Sequence, residues 1–183
     1  MIDCFDGMVI SWSISTRPDA KLVNTMLDAA IETVAQCYDS PVVHSDRGAH
    51  YRWPGWLTRM ADAKLTRSMS RKGGSPDNAA CEGFFGRLKT ELFYPRNWQT
   101  TTIEQFIQIV DSYIHWYNEK RIKISLGSLS PSEYRESLGL TVNQSNFSAA
   151  PPTGQFSTGV NNRVGLHFGK DVVISNLLDR RGA

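Results

Sequence analysis

Long apolar runs are missing from this chain. None of its 183 residues lies in a stretch approaching a membrane span, which needs ~18–20 apolar residues, so no membrane partner is expected. The start, Met1-Ile2-Asp3-Cys4, lacks the basic residues and long apolar segment of a signal peptide. Cysteine is scarce: Cys4, Cys37 and Cys81 are odd in number, far apart and without a C-x-x-C pair. That argues against a disulfide framework or a zinc site and fits a reducing cytoplasm. A strong charge of one sign is also absent; the net charge is +2 at pH 7, weak grounds for a nucleic-acid partner. There is no internal repeat. What remains, 40% hydrophobic and 21% charged, is the composition of a soluble globular protein with room for one ordinary core.

The informative stretch runs from Val42 to Glu91, and it holds two acids in unlike settings. Asp46 follows the apolar run Pro41-Val42-Val43 and precedes Arg47-Gly48, as a carboxylate at the exit of a buried strand would. Glu82 falls in a helical pattern opened by Ser75-Pro76-Asp77-Asn78, a good N-cap cluster. Wound as a helix from Asp77 to Leu92 at about 100° per residue, the chain puts Cys81, Phe84, Phe85, Leu88 and Leu92 on one arc. Glu82 then edges that arc, with Lys89 nearly in line two turns on. Two carboxylates from separate elements suit a hard cation, Mg²⁺ or Mn²⁺, and such ions serve phosphodiester chemistry. Each acid alone has a plainer role: Asp46 can cap a turn, and Glu82 can be a solvated helix residue. A carboxylate pair also serves glycosidases, but the surrounding cations have no use there. From Arg59 to Lys89 seven basic residues face three acidic ones, a cluster suited to a phosphate backbone.

Elsewhere the pattern predicts an α/β layer fold. Ile2–Phe5 and Met8–Ser15 flank Asp6-Gly7, a two-residue hairpin signal, and the alternation from Met8 to Ile14 predicts one buried face. Thr16-Arg17-Pro18-Asp19 opens a helix with a stripe from Leu22 to Val34. Trp53, Trp56, Leu57 and Met60 recur at helical spacing as core. Ala63–Thr66 is a candidate edge strand. Ser68 to Pro76 is a basic, Ser/Gly-rich loop in which Arg71 and Lys72 would meet phosphates. Thr102 caps a helix whose buried face runs from Ile103 to Tyr117. Beyond Leu140 the chain turns rich in Asn, Ser, Gly and Pro, so residues 1–140 are expected as the core and 141–183 as a low-complexity or disordered tail. Val172 to Leu178 is the late stretch with strand or helix potential.

Several short motifs stand in order: Ser45-Asp46-Arg47-Gly48, Tyr51, Ser68-Met69-Ser70-Arg71-Lys72-Gly73, Asp77-Asn78-Ala79, Glu82, Phe84-Phe85 and Leu88-Lys89-x-Glu91. Tyr117-Asn118-x-x-Arg121 and Leu126-Gly127-x-x-Ser130-Pro131 follow. Over about Met1 to Leu140 this series closely resembles the insertion-sequence transposases with a retroviral-integrase-like (DDE) catalytic core, the IS-three group. Thirty-five residues separate Asp46 from Glu82, the gap that family shows between its second and third catalytic acids.

The resemblance implies a ribonuclease H-like fold and DNA transposition by metal-dependent cleavage and strand transfer. Asp46 and Glu82 would hold two Mg²⁺ or Mn²⁺ ions together with a first Asp. Asn78 would orient groups at the site, and Arg71, Lys72, Lys89, Arg121 and Lys123 would contact DNA. Lys123 stands where many relatives carry His. Partners would be element ends and target DNA, and a second copy or a full-length transposase, at the bacterial nucleoid in the cytoplasm. The family's first acid lies on a strand upstream of the segment matched by Ile2–Gly7, so the chain is expected to begin at the second strand. Asp3 and Asp6 sit in that strand and its turn and do not replace the missing acid. The implied product is a truncated, inactive core with unpaired edges on either side of an absent central strand. The rival expectation is a non-catalytic DNA-binding or oligomerisation remnant that modulates full-length transposase.

Overall fold

The computed structural model describes residues 1–14, 19–34, 41–70 and 79–140, and the backbone of 172–175. In chain order these form β1 (Ile2–Asp3), α1 (Ala20–Val34), β2 (Val42–Ser45), α2 (Pro54–Asp62), β3 (Thr66–Met69), α3 (Ala79–Arg87), α4 (Ile103–Glu119), α5 (Pro131–Ser137) and β4 (Val172–Ser175). The sheet order is β1-β4-β2-β3. β2 and β3 are parallel, in register from Val42↔Thr66 to Ser45↔Met69. β4 runs antiparallel to β2 and parallel to β1.

β4 alters the expectation of unpaired edges. The hairpin and the β2–β3 pair do share a strand, and Val172–Ser175 supplies it. This segment falls in the stretch expected as tail; the rest of 141–183 lies outside the described residues.

The hairpin forms with a longer connection than two residues. Asp3 N–H donates to Met8 O at 2.9 Å and Gly7 N–H to Asp3 O at 2.8 Å, so Cys4–Gly7 make the loop. Gly7 has φ +74°, a left-handed conformation that favours glycine. The returning segment, Met8 to Ile14, is buried on both faces rather than one. α1 covers the serine face: Ser11 Oγ donates to Met26 O at 2.8 Å and Ser13 Oγ to Leu22 O at 2.9 Å. Two strand residues advance about 6.6 Å and four helical residues about 6.0 Å, so hydroxyls and carbonyls stay in step.

The stripe on α1 is as the periodicity predicts, with Leu22, Val23, Met26, Leu27, Ala30 and Val34 buried and Ile31 packed at the rim. Asp19 caps it through Leu22 N–H at 2.9 Å. On α2 only Trp56 and Met60 enter the core, while Trp53 and Leu57 are exposed. Trp53 is the residue before the helix, and Pro54 fixes the first turn. Ala63–Leu65 close α2 instead of forming a strand. Leu65 N–H bonds Met60 O and Lys64 N–H bonds Ala61 O, a Schellman end with Lys64 at φ +54°. β3 therefore starts three residues later than expected.

α4 opens with the capping box of Thr102 and Gln105 and buries Val110, Tyr113, Ile114 and Tyr117, with Phe106 and Ile107 at the rim. Its Trp116 is exposed. Asn118 is buried, and its amide pairs with a strand backbone. It accepts from Val9 N–H at 2.9 Å and donates to Val9 O at 2.8 Å, standing in for a ladder neighbour.

Candidate acid pair and its surroundings

Asp46 leaves the end of β2 half-buried. Its Oδ1 accepts Gly48 N–H at 2.7 Å, an Asx turn. A Cβ on residue 48 would sit 2.8 Å from that oxygen and 3.3 Å from the Tyr51 ring, so glycine lets the carboxylate fold back over the turn. The sheet is reinforced just here. Ser70 N–H donates to Ser45 O at 3.0 Å, carrying the β2–β3 ladder one step on. His44 bridges Ser68 Oγ and Ser70 Oγ, at 2.9 Å each, and Arg47 Nε donates to Ser70 O at 3.0 Å. These contacts tie the start of the basic loop to the strand bearing Asp46. Arg71, Lys72 and Asn78 themselves lie outside the described residues.

Glu82 lies exposed in the first turn of α3, beside buried Cys81 and Phe84. Cys81 forms no disulfide with the exposed Cys4. α3 lies on β4, the neighbour of β2, so both acids belong to elements that border the same strand. Among the described residues, no group of three His, Cys, Asp or Glu side chains could hold a metal ion.

The Glu82 helix does not run on uniformly to Leu92. After Arg87 it widens into a π-helical segment, Leu88–Phe93, ended by Tyr94 N–H on Lys89 O at 2.8 Å. Lys89 lies beyond the change of pitch, so the in-line relation to Glu82 drawn for a regular helix does not carry over; Lys89 is exposed. Leu88 and Leu92 stay buried, while Glu91 reaches α4 and the loop after it. Arg121 holds Glu91 with a fork, Nη2–Oε1 at 2.7 Å and Nε–Oε2 at 3.0 Å, and Tyr113 OH donates to Oε2 at 2.9 Å. The Arg121 bonds, then that of Tyr113, hold the Glu91 carboxyl below its usual range. Burial, then Glu91, pushes the Tyr113 phenol up.

Lys123 is half-buried and donates from Nζ to Asp6 O at 2.5 Å; burial lowers its pKa. Arg121 and Lys123 also lie over the Tyr117 ring, at 5.6 Å and 5.8 Å from its centroid. Donors on both cations proposed for DNA are thus engaged within the chain.

Sequence reasoning passed over Arg135. Its side chain is almost fully enclosed, with Nη2 on Asp3 Oδ2 at 2.6 Å and Nε on Asp6 Oδ2 at 2.5 Å. Asp3 and Asp6 are therefore spent on fixing α5 to the hairpin. The available signal was an aspartate pair around a turn and an arginine on the inner side of a capped helix, Ser130-Pro131 to Glu133.

Comparison with known proteins agrees with this architecture. Integrase core domain profiles match residues 1–75 and 82–138. The chain is 64% identical over 140 residues to the probable transposase for insertion sequence element IS1353 of Shigella flexneri, covering 76% of this chain and 27% of that protein. It is 41% identical over 135 residues to the putative transposase InsK for insertion sequence element IS150 of Escherichia coli K12, covering 74% and 47%. Transposase InsF for insertion sequence IS3fB, from the same strain, is 33% identical over 135 residues, covering 73% and 46%. The chain thus spans between about a quarter and a half of these relatives.

Proposed function

Because this chain belongs to the insertion-sequence transposases built on an integrase core, we propose that it serves DNA transposition, with Asp46 and Glu82 as the second and third acids of a phosphodiester-cleaving site. The observation that carries this reading is the placement of the two acids, both inside the matched residues, one at a strand exit and one on a helix, on elements that neighbour β4. The donors are hard carboxylate oxygens, the kind that Mg²⁺ and Mn²⁺ prefer. Such ions, when bound, supply Lewis-acid activation of the attacking and leaving oxygens. The described residues provide no third ligand to complete the set, so no cleavage step is assigned to this chain alone.

The protein's own contribution is to bind and align DNA. Lys89, exposed in the π-helical segment that follows α3, and Arg71-Lys72 in the basic loop are the phosphate contacts, with Asn78 as orienting group. Arg121 and Lys123 add positive potential, their donors being held by Glu91 and Asp6 O. Element ends and target DNA are the ligands, and a second copy or full-length transposase the protein partner, at the nucleoid. Among the described residues no helix is long and apolar enough to cross a membrane.

A second reading rests on the described residues offering no third ligand beside the two acids: a non-catalytic DNA-binding or oligomerisation component that modulates full-length transposase. One experiment addresses both. Purified chain is assayed for binding, nicking and Mn²⁺-dependent strand transfer on element-end DNA. Binding that weakens steeply with salt, without nicking, is expected. Absence of binding even at low salt overturns the DNA role. Robust turnover abolished by Asp46→Asn or Glu82→Gln overturns the non-catalytic reading and assigns catalysis to this chain.

A further inference from the structure

The outer edges of β1 and β2 are already engaged: Ile2 bridges Val9 on one side, and β2 pairs with β3 on the other. The space between β1 and β2 is one strand wide, and Val172–Ser175 fills it, opposite Ile2 and Asp3 on one side and all four residues of β2 on the other. The walls are dry, with Ile2, Asp3 and Val43 buried and α3 lying on the strand. Left empty, this slot would strand backbone N–H and C=O groups in a buried place, which is costly. The occupant is rich in β-branched residues, suited to an extended conformation. The intervening residues 141–171 are rich in Asn, Ser, Gly and Pro.

We propose that the slot between β1 and β2 is a binding site for an extended β-branched peptide, that Val172–Ser175 is its resident ligand, and that this segment docks there equally when supplied as a separate peptide. Main-chain hydrogen bonds on both sides provide the affinity, as in strand addition to a sheet edge. The observed register, Val43↔Ile174 and His44↔Val173, fixes the polarity. Proline at the central positions would remove the donors that both ladders need. The inference is independent of any catalytic role, since its readout is strand docking and not turnover.

The test uses the full chain carrying Val173→Pro and Ile174→Pro, which removes ladder donors. Amide exchange at Val42–Ser45 is expected to accelerate at least ~100-fold. A peptide of residues 170–177 should bind saturably and restore protection, and the same peptide carrying Val173→Pro and Ile174→Pro should not. If the variant comes out unfolded, it is refolded with each peptide, and recovery with the authentic one alone supports the site. Wild-type protection in the variant, equal rescue by the proline-bearing peptide, or no rescue at all overturns it. In the otherwise intact chain, His44→Cys with Val173→Cys should form a disulfide on mild oxidation, while His44→Cys with Ser175→Cys should not. The opposite pattern overturns the register.

Discussion

Arg135 is the residue whose loss the molecule should tolerate least. Its guanidinium faces two carboxylates with almost no solvent. Burial pushes Asp3 above the ordinary carboxylate range, and Arg135 acts against that shift. Arg135→Met should cost about 3–5 kcal/mol in urea unfolding, since it leaves two buried carboxylates without a cation. The triple change Asp3→Asn, Asp6→Asn, Arg135→Met should cost clearly less, because no charge is then stranded. Glu91 tests the other cluster through pH. Its folded pKa lies below the unfolded value of 4.5, so its contribution is present above that value and is lost as pH falls through the folded one. Wild type should therefore exceed Glu91→Gln in stability at neutral pH, and the gap should close in acid. A gap constant with pH would show that the Arg121 fork acts by shape alone.

Among the elements, α2 shows how a local rule overrode a strand signal. Ala63-Lys64-Leu65 has strand-like neighbours, but its backbone donors are needed to close the helix above it. Lys64 adopts φ +54°, a conformation that costs a residue with a Cβ about 1 kcal/mol or more. Lys64→Gly should stabilise the protein by about 0.5–1 kcal/mol, read as a raised urea midpoint at unchanged slope. The capped helices α1 and α4 were legible because cap and stripe agree in period and phase. The helix bearing Glu82 was legible at its start and not at its end. Periodicity assumes one pitch, and nothing in Leu88–Phe93 announces a wider turn.

At the scale of the whole molecule, the fold class was legible and the sheet order was not. The chain has an α/β architecture and belongs with the ribonuclease H-like integrase cores, as the ordered motifs implied. The motifs also singled out Asp46 and Glu82 as candidate acids, because residue type and order survive in a sequence. They could not show that Arg121 and Lys123 would turn inward, because that depends on Glu91 and the hairpin arriving from distant parts of the chain. Nor could they place Val172–Ser175 between β1 and β2. Four residues of β-branched character carry no address, and partner choice is a non-local outcome.

Among the described elements, a strand near the middle of the sheet comes last in chain order. Synthesis therefore delivers the hairpin and the β2–β3 pair before the strand that joins them. The sheet can close only after residue 175 has left the ribosome, and until then the nascent molecule holds two half-sheets that a chaperone or another strand could meet first.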